Sequence, residues 1–112
     1  MNKIPLMNNT KWDELCNTMH SLPFTIFWRT KDINTGYISD WDSDWFYHFK
    51  LENNKVTQDA YKSIEWVEIR TDNGREQIID VIRKIHLPGE IRDNSIIIYG
   101  YNTKNKYIGF IG

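Results

Sequence analysis

Residues 39 to 45 read SDWDSDW, setting Asp40, Asp42 and Asp44 alternately with Trp41, Ser43 and Trp45. Carboxylates at every second position suit a calcium loop, an acidic row that meets a basic partner, or a polar hairpin turn. A calcium loop of the EF-hand kind needs Gly at its sixth position and Glu at its twelfth. Counted from Asp40, those positions hold Trp45 and Leu51, so that reading fails. As a turn, Asp42-Ser43-Asp44 has side chains that bond nearby backbone, with Trp41 and Trp45 packing across two strands. As a contact row, the carboxylates stand about 6–7 Å apart along extended backbone, a spacing that suits Arg and Lys groups that hold phosphates. The adjoining indoles add desolvated area to such a contact. The partner-binding residues expected on this reading are Asp40, Trp41, Asp42, Asp44 and Trp45. Glu65 and Glu68 would extend the acidic surface, but on a regular strand they face opposite ways, so both cannot join it.

Other reactive side chains find plainer explanations. Cys16 and His20 stand four apart on a helical stretch, yet Cys16 falls in the apolar stripe, where packing explains it. His48 between Tyr47 and Phe49 reads as a strand histidine bonded locally or facing solvent, and His86 as a cation favoured at a helix end. One Cys and three His give no HxxxH, HExxH or CxxC spacing, so no metal site is expected. Glycines form neither GxGxxG nor GxxxxGK[ST], and GxSxG is absent, so no cofactor is expected either. An acid–base enzyme built from Glu65, Glu68, Arg70 and His48 has no support in their spacing. The chain reads as a non-enzyme with no catalytic residue.

The elements that position these groups follow from periodicity. Residues 1–9 read as a flexible N-terminal arm and 10–112 as one α+β domain. Trp12, Leu15, Cys16, Met19 and Leu22 make a buried helical stripe over 10–21, capped by Thr10 and ended by Pro23. FTIFWRT (24–30), GYISDW (36–41) and DWFYHFK (44–50) read as strands, the latter two flanking the acidic turn, and 51–60 as a loop. YKSIEWVEIR (61–70) carries apolar residues on both faces, as a central strand requires. Asn73 and Glu76 form a capping box for a second helix with Ile78, Ile79, Ile82 and Ile85 inward. Pro88-Gly89 signals a turn, and 95–101 and 106–112 form a last strand pair. The order α-β-β-β-β-α-β-β predicts a mainly antiparallel sheet of about five to six strands with two helices.

Bulk properties narrow the function. With 14 basic and 15 acidic residues the net charge is −1, which argues against a broad basic surface for nucleic acid. No apolar run is long enough for a bilayer, no signal segment is visible, and a lone Cys16 makes no internal disulfide, so a cytoplasmic protein is expected. The 5 Trp, 6 Tyr and 5 Phe supply a core and, where exposed, contact anchors.

The string WRTKDINTGYISDWDSDWFYHF (28–49), followed by IEWVEI (64–69), IHLPGE (85–90) and IYGY (98–101), resembles a family of small uncharacterised bacterial proteins carried as a domain of unknown function. The resemblance runs from about Thr10 to Tyr107. It implies a bacterial cytosolic, stand-alone domain and brings no catalytic residue with it. A compact, weakly acidic, Trp-rich domain without a chemistry motif fits a stoichiometric binder. The leading expectation is therefore an immunity protein that neutralises a cognate toxin, such as a basic nuclease, by masking its active site. It would act as a monomer or weak homodimer. The alternative is a small enzyme or ligand-binding domain with a pocket between sheet and helices.

Overall fold

A computed structural model describes residues 3–49, 61–105 and 107–112. The expected loop at 51–60 lies outside the described residues. The elements are β1 (Ile4–Pro5), α1 (Asn9–Ser21), β2 (Trp28–Asp32), β3 (Ile64–Arg70), α2 (Arg75–Ile85), β4 (Leu87–Ile91), β5 (Ser95–Tyr99), β6 (Tyr101–Asn102) and β7 (Phe110–Ile111). Residues 47–49 are also helical. A five-stranded sheet in the order β2-β3-β5-β4-β7 is antiparallel throughout, and β1 pairs with β6 in a second, two-stranded sheet. The class is α+β, as its periodicities predict.

Helix α1 forms because its apolar residues recur on one face, burying Trp12, Leu15, Cys16 and Met19. Its cap is Asn8, whose side chain accepts the Lys11 amide, and so the helix starts ahead of the expected Thr10. Within the expected arm, β1 is held by β6, and the Leu6 amide donates to the Gly100 carbonyl at 2.9 Å. Helix α2 buries Ile78, Ile82 and Ile85. Its cap is Gly74 in the left-handed region, and no side chain caps it, so the expected box on Asn73 does not form.

One core cluster joins Leu15, Met19, Ile78 and Ile82 of the helices to Trp28, Val67, Ile69, Leu87, Ile96 and Ile98 of the sheet. Both helices therefore cover the same face. The opposite face carries the alternate residues of β2, β3 and β5.

Several expected elements differ. The expected last strand pair does not form, because β5 lies between β3 and β4 while β7 pairs with β4. Pro88-Gly89 lies inside β4 rather than in a turn, because His86, at φ 67, already reverses the chain between α2 and β4. The stretches 36–41 and 44–49 are not strands, and residue 50 lies outside the described residues. Residues 37–42 instead follow the outer edge of β2. Trp28 and Asp42 exchange amide-to-carbonyl bonds of 2.8 and 2.9 Å. The Ser39 amide donates to the Thr30 carbonyl, the Ser39 hydroxyl accepts the Thr30 amide, and the Asp32 amide donates to the Tyr37 carbonyl.

Candidate functional site: the uncovered face of the sheet

The acidic stretch divides its side chains among three tasks. Asp42 accepts the Asp44 amide at 2.9 Å, and Asp44 accepts the amides of Phe46 and Tyr47 at 2.9 and 3.0 Å, capping the helical turn at 47–49. Burial acts to raise the Asp44 pKa, but those amides and the neighbouring His48 outweigh it and hold the carboxyl below its ordinary value. His48 Nδ1 lies 2.9 Å from Asp42 and 3.9 Å from Asp44, so these two carboxylates converge on an imidazole instead of forming an extended row. Asp40 is exposed.

The two indoles part ways. Trp45 is 2% exposed; its Nε1 donates to the Ile26 carbonyl at 3.1 Å, and its ring stacks on Phe49. The expected contact residue Trp45 thus belongs to the core. Trp41 is half-buried and turns the other way, onto the uncovered sheet face. There the guanidinium carbons of Arg29 and Arg70 lie 4.7 and 5.4 Å from its ring centre.

That face holds a cavity of about 530 Å³. Its floor is built by strand register: Arg29 pairs with Glu68, Glu68 with Ile97 and Ile97 with Glu90, while Lys31 pairs with Trp66 and Trp66 with Tyr99. A bulge adds a further carboxylate. Lys31 pairs with Trp66 but Asp32 with Ile64, which leaves Glu65 as the extra residue of β3. Glu65 and Glu68, three apart and expected on opposite faces, consequently both line the cavity with Trp66 between them.

Among the described residues, three ion pairs lie on this floor. Arg29 Nε meets Glu68 at 2.8 Å, Arg92 Nε meets Glu90 at 2.8 Å and Lys31 Nζ meets Glu65 at 3.4 Å. The Ser95 hydroxyl donates to Glu68 at 2.8 Å and the Tyr99 hydroxyl to Glu90 at 2.7 Å. Burial, then the bond to Glu90, pushes the Tyr99 phenol upward. Tyr107, 90% exposed, stands at the rim. A fixed lattice of carboxylates, cations and ring faces is equipped to bind polar groups.

A family model matches residues 1–105, nearly the whole chain. The chain belongs to DUF6678, a family of unknown function. No curated protein and no solved structure matches it.

The space between sheet and helices is filled by Leu15, Met19, Ile78 and Ile82, and the cavity opens on the other side. Cys16 is buried beside Tyr61, and the His20 ring lies 4.2 Å from that of Phe46. Of the acid–base quartet, Glu65 and Glu68 both line the cavity, each paired with its own cation. Arg70 bonds Asp72 at 2.6 Å and His48 stays with the acidic stretch. Among the described residues, no group of three or more His, Cys, Asp or Glu side chains is arranged to hold a metal. Nor is any helix among them long and apolar enough to cross a membrane.

Proposed function

We propose that this protein is a stoichiometric protein-binding module of the immunity type. In a bacterial cytosol it would neutralise a cognate toxin, such as a basic nuclease, by covering its active site. What supports this reading best is the uncovered face of the five-stranded sheet, with its cavity of about 530 Å³ framed by paired charges and aromatic rings. Trp, Tyr and Arg are the residue types that anchor protein interfaces, and Arg29, Trp41, Trp66, Arg70 and Tyr99 share this side of the molecule. The contact therefore centres on the sheet and Trp41, with exposed Asp40 at its border. Asp42 and Asp44 shape the approach to it, and Trp45 supports it from beneath.

A photo-reactive phenylalanine analogue at position 107, on the cavity rim, tests the reading against the same analogue at Gln77, exposed on α2. In cells of origin, position 107 should capture a single protein that forms an equimolar complex, and Gln77 should not. Trp66→Ala should then weaken that complex about tenfold or more. Equal capture from both positions, or a complex indifferent to Trp66, refutes the assignment.

A further inference from the structure

We infer that the cavity on the sheet binds a small organic oxyanion, a carboxylate or a phosphate monoester carried on an aromatic ring. The inference goes beyond the protein-binding reading, since such a ligand would fill the floor of the same face beneath any partner.

The charges of the lining favour an anion. Arg29, Lys31, Arg92 and Lys104 stand against Glu65, Glu68 and Glu90, one positive charge in surplus within a chain whose net charge is −1. Each of the three carboxylates holds a cation, and among the described residues the exposed ammonium of Lys104 has no carboxylate. A concave surface with a surplus of one sign focuses its field on the opposite charge.

The arginines also keep open donors. Glu68 gives one oxygen to Arg29 Nε at 2.8 Å and the other to the Ser95 hydroxyl at 2.8 Å. Glu90 is divided in the same way, between Arg92 Nε at 2.8 Å and the Tyr99 hydroxyl at 2.7 Å. Each glutamate therefore anchors its guanidinium through Nε. Among the described residues, neither pair of Nη groups has a hydrogen-bond partner. The Trp41 ring lies 4.7 Å from the Arg29 guanidinium carbon, which covers a face of that group and leaves open the donors in its plane. A guanidinium fixed at one edge presents a ready fork to two oxygens of one oxyanion. The Arg29 and Arg92 side chains are 37% and 51% exposed, so a ligand can reach both forks.

The rest of the lining suits a ring. Trp66, Tyr99, Tyr101 and Tyr107 border the cavity, with Ile97 on its floor. Aromatic rings pack offset or edge-on, which holds a planar body beside the charged groups. The volume of about 530 Å³ is that of a small-molecule site.

The test follows the Trp66 indole N–H signal by nuclear magnetic resonance during titration at constant ionic strength. The probes are benzoate, phenyl phosphate, benzylammonium, benzyl alcohol and inorganic phosphate. One or both of benzoate and phenyl phosphate should shift the signal saturably, the tighter naming the oxyanion. Benzylammonium and benzyl alcohol should be inert, and inorganic phosphate should bind about tenfold more weakly than phenyl phosphate. Arg92→Lys keeps the charge but removes the fork, and should weaken ring-anion binding about tenfold. Lys104→Gln, at an exposed position, should weaken it about threefold. The second variant keeps the test decisive should the first not fold. No saturable response to either ring anion, an equal response to benzylammonium, phosphate as tight as phenyl phosphate, or unchanged affinity in Lys104→Gln would overturn the inference. Capture from position 107 without any anion response leaves the binder reading standing and removes this one. Anion binding without a captured protein does the reverse.

Discussion

Asp42 and His48, six residues apart, face each other at 2.9 Å, and the second oxygen of the same carboxylate takes the amide of Asp44. The pair thereby ties the start of the helical turn to the bridge that Asp42 makes with Trp28. Everything between Trp41, on the sheet face, and Trp45, in the core, is held by this knot. Its loss should loosen the position of Trp41 before it affects the core.

Asp44 makes the knot dependent on pH. Its pKa is below the ordinary value in the folded chain, so the folded state binds that proton less readily than the unfolded state. The contribution is complete above the unfolded value of about 3.9 and disappears as pH falls through the lower folded value. Asp44→Ala should cost about 1 kcal/mol near neutral pH through loss of the cap. The difference from the parent should shrink on acidification, and urea unfolding from about pH 7 down to about pH 2 checks both.

The two tryptophans of the acidic stretch should respond in opposite ways. Trp45→Ala removes a buried ring stacked on Phe49 and should destabilise the fold by about 3–5 kcal/mol. Trp41→Ala loses contacts to Arg29 and Arg70 at a partly exposed site and should cost about 1 kcal/mol or less. In a binding assay the order reverses, with Trp41→Ala the more damaging of two folded variants. Thermal melts beside affinity measurements separate the effects.

Two glycines with positive φ provide an internal control. At Gly36, φ +77, an added Cβ meets nothing within 4 Å, so Gly36→Ala should cost only the backbone preference, about 1 kcal/mol. At Gly74, φ +69, the same Cβ would lie 2.2 Å from the Phe24 ring. Gly74→Ala should therefore cost about 2–4 kcal/mol, since backbone preference and overpacking add. Equal denaturation midpoints for the two variants would contradict this.

Alkaline stability depends on Tyr61. Burial, followed by its 2.5 Å bond to Asp13 and the proximity of Cys16, raises its phenol far above the usual range. A raised folded-state pKa contributes full stability below the unfolded value of about 10 and loses it as pH rises beyond. Stability should fall above that point by as much as about 1.4 kcal/mol per pH unit for this proton. Tyr61→Phe should flatten the decline, leaving the smaller part due to Tyr99, which shifts the same way. Denaturant titrations across the alkaline range measure the slope.

Helices α1 and α2 and strands β3 and β5 are legible in the chain because each repeats its apolar residues at one period. The stretch from Asp44 to Phe49 misleads because its aromatics satisfy two periods. Trp45, Tyr47 and Phe49 alternate as in a strand, yet Trp45 and Phe49 are also four apart, as on one helical face. Those two are the buried pair, with Tyr47 outside. Pro88-Gly89 misleads because a histidine in the left-handed region, rather than a glycine, makes the turn just before it. The cavity leaves almost no trace. Its floor depends on register between strands distant in sequence, and the bulge that turns Glu65 toward Glu68 arises only when β3 pairs with β2. The one readable sign is two glutamates flanking a tryptophan in a strand apolar on both faces.

The segment lying along β2 bears on self-association. Trp28, Thr30 and Asp32, whose backbone groups would otherwise project from the border of the sheet, are all engaged by residues 37–42. The opposite border is β7, only two residues long. Neither border is a template onto which a second copy adds strand by strand, the route by which β-rich proteins polymerise into fibrils. Whatever this molecule joins, it should join broadside.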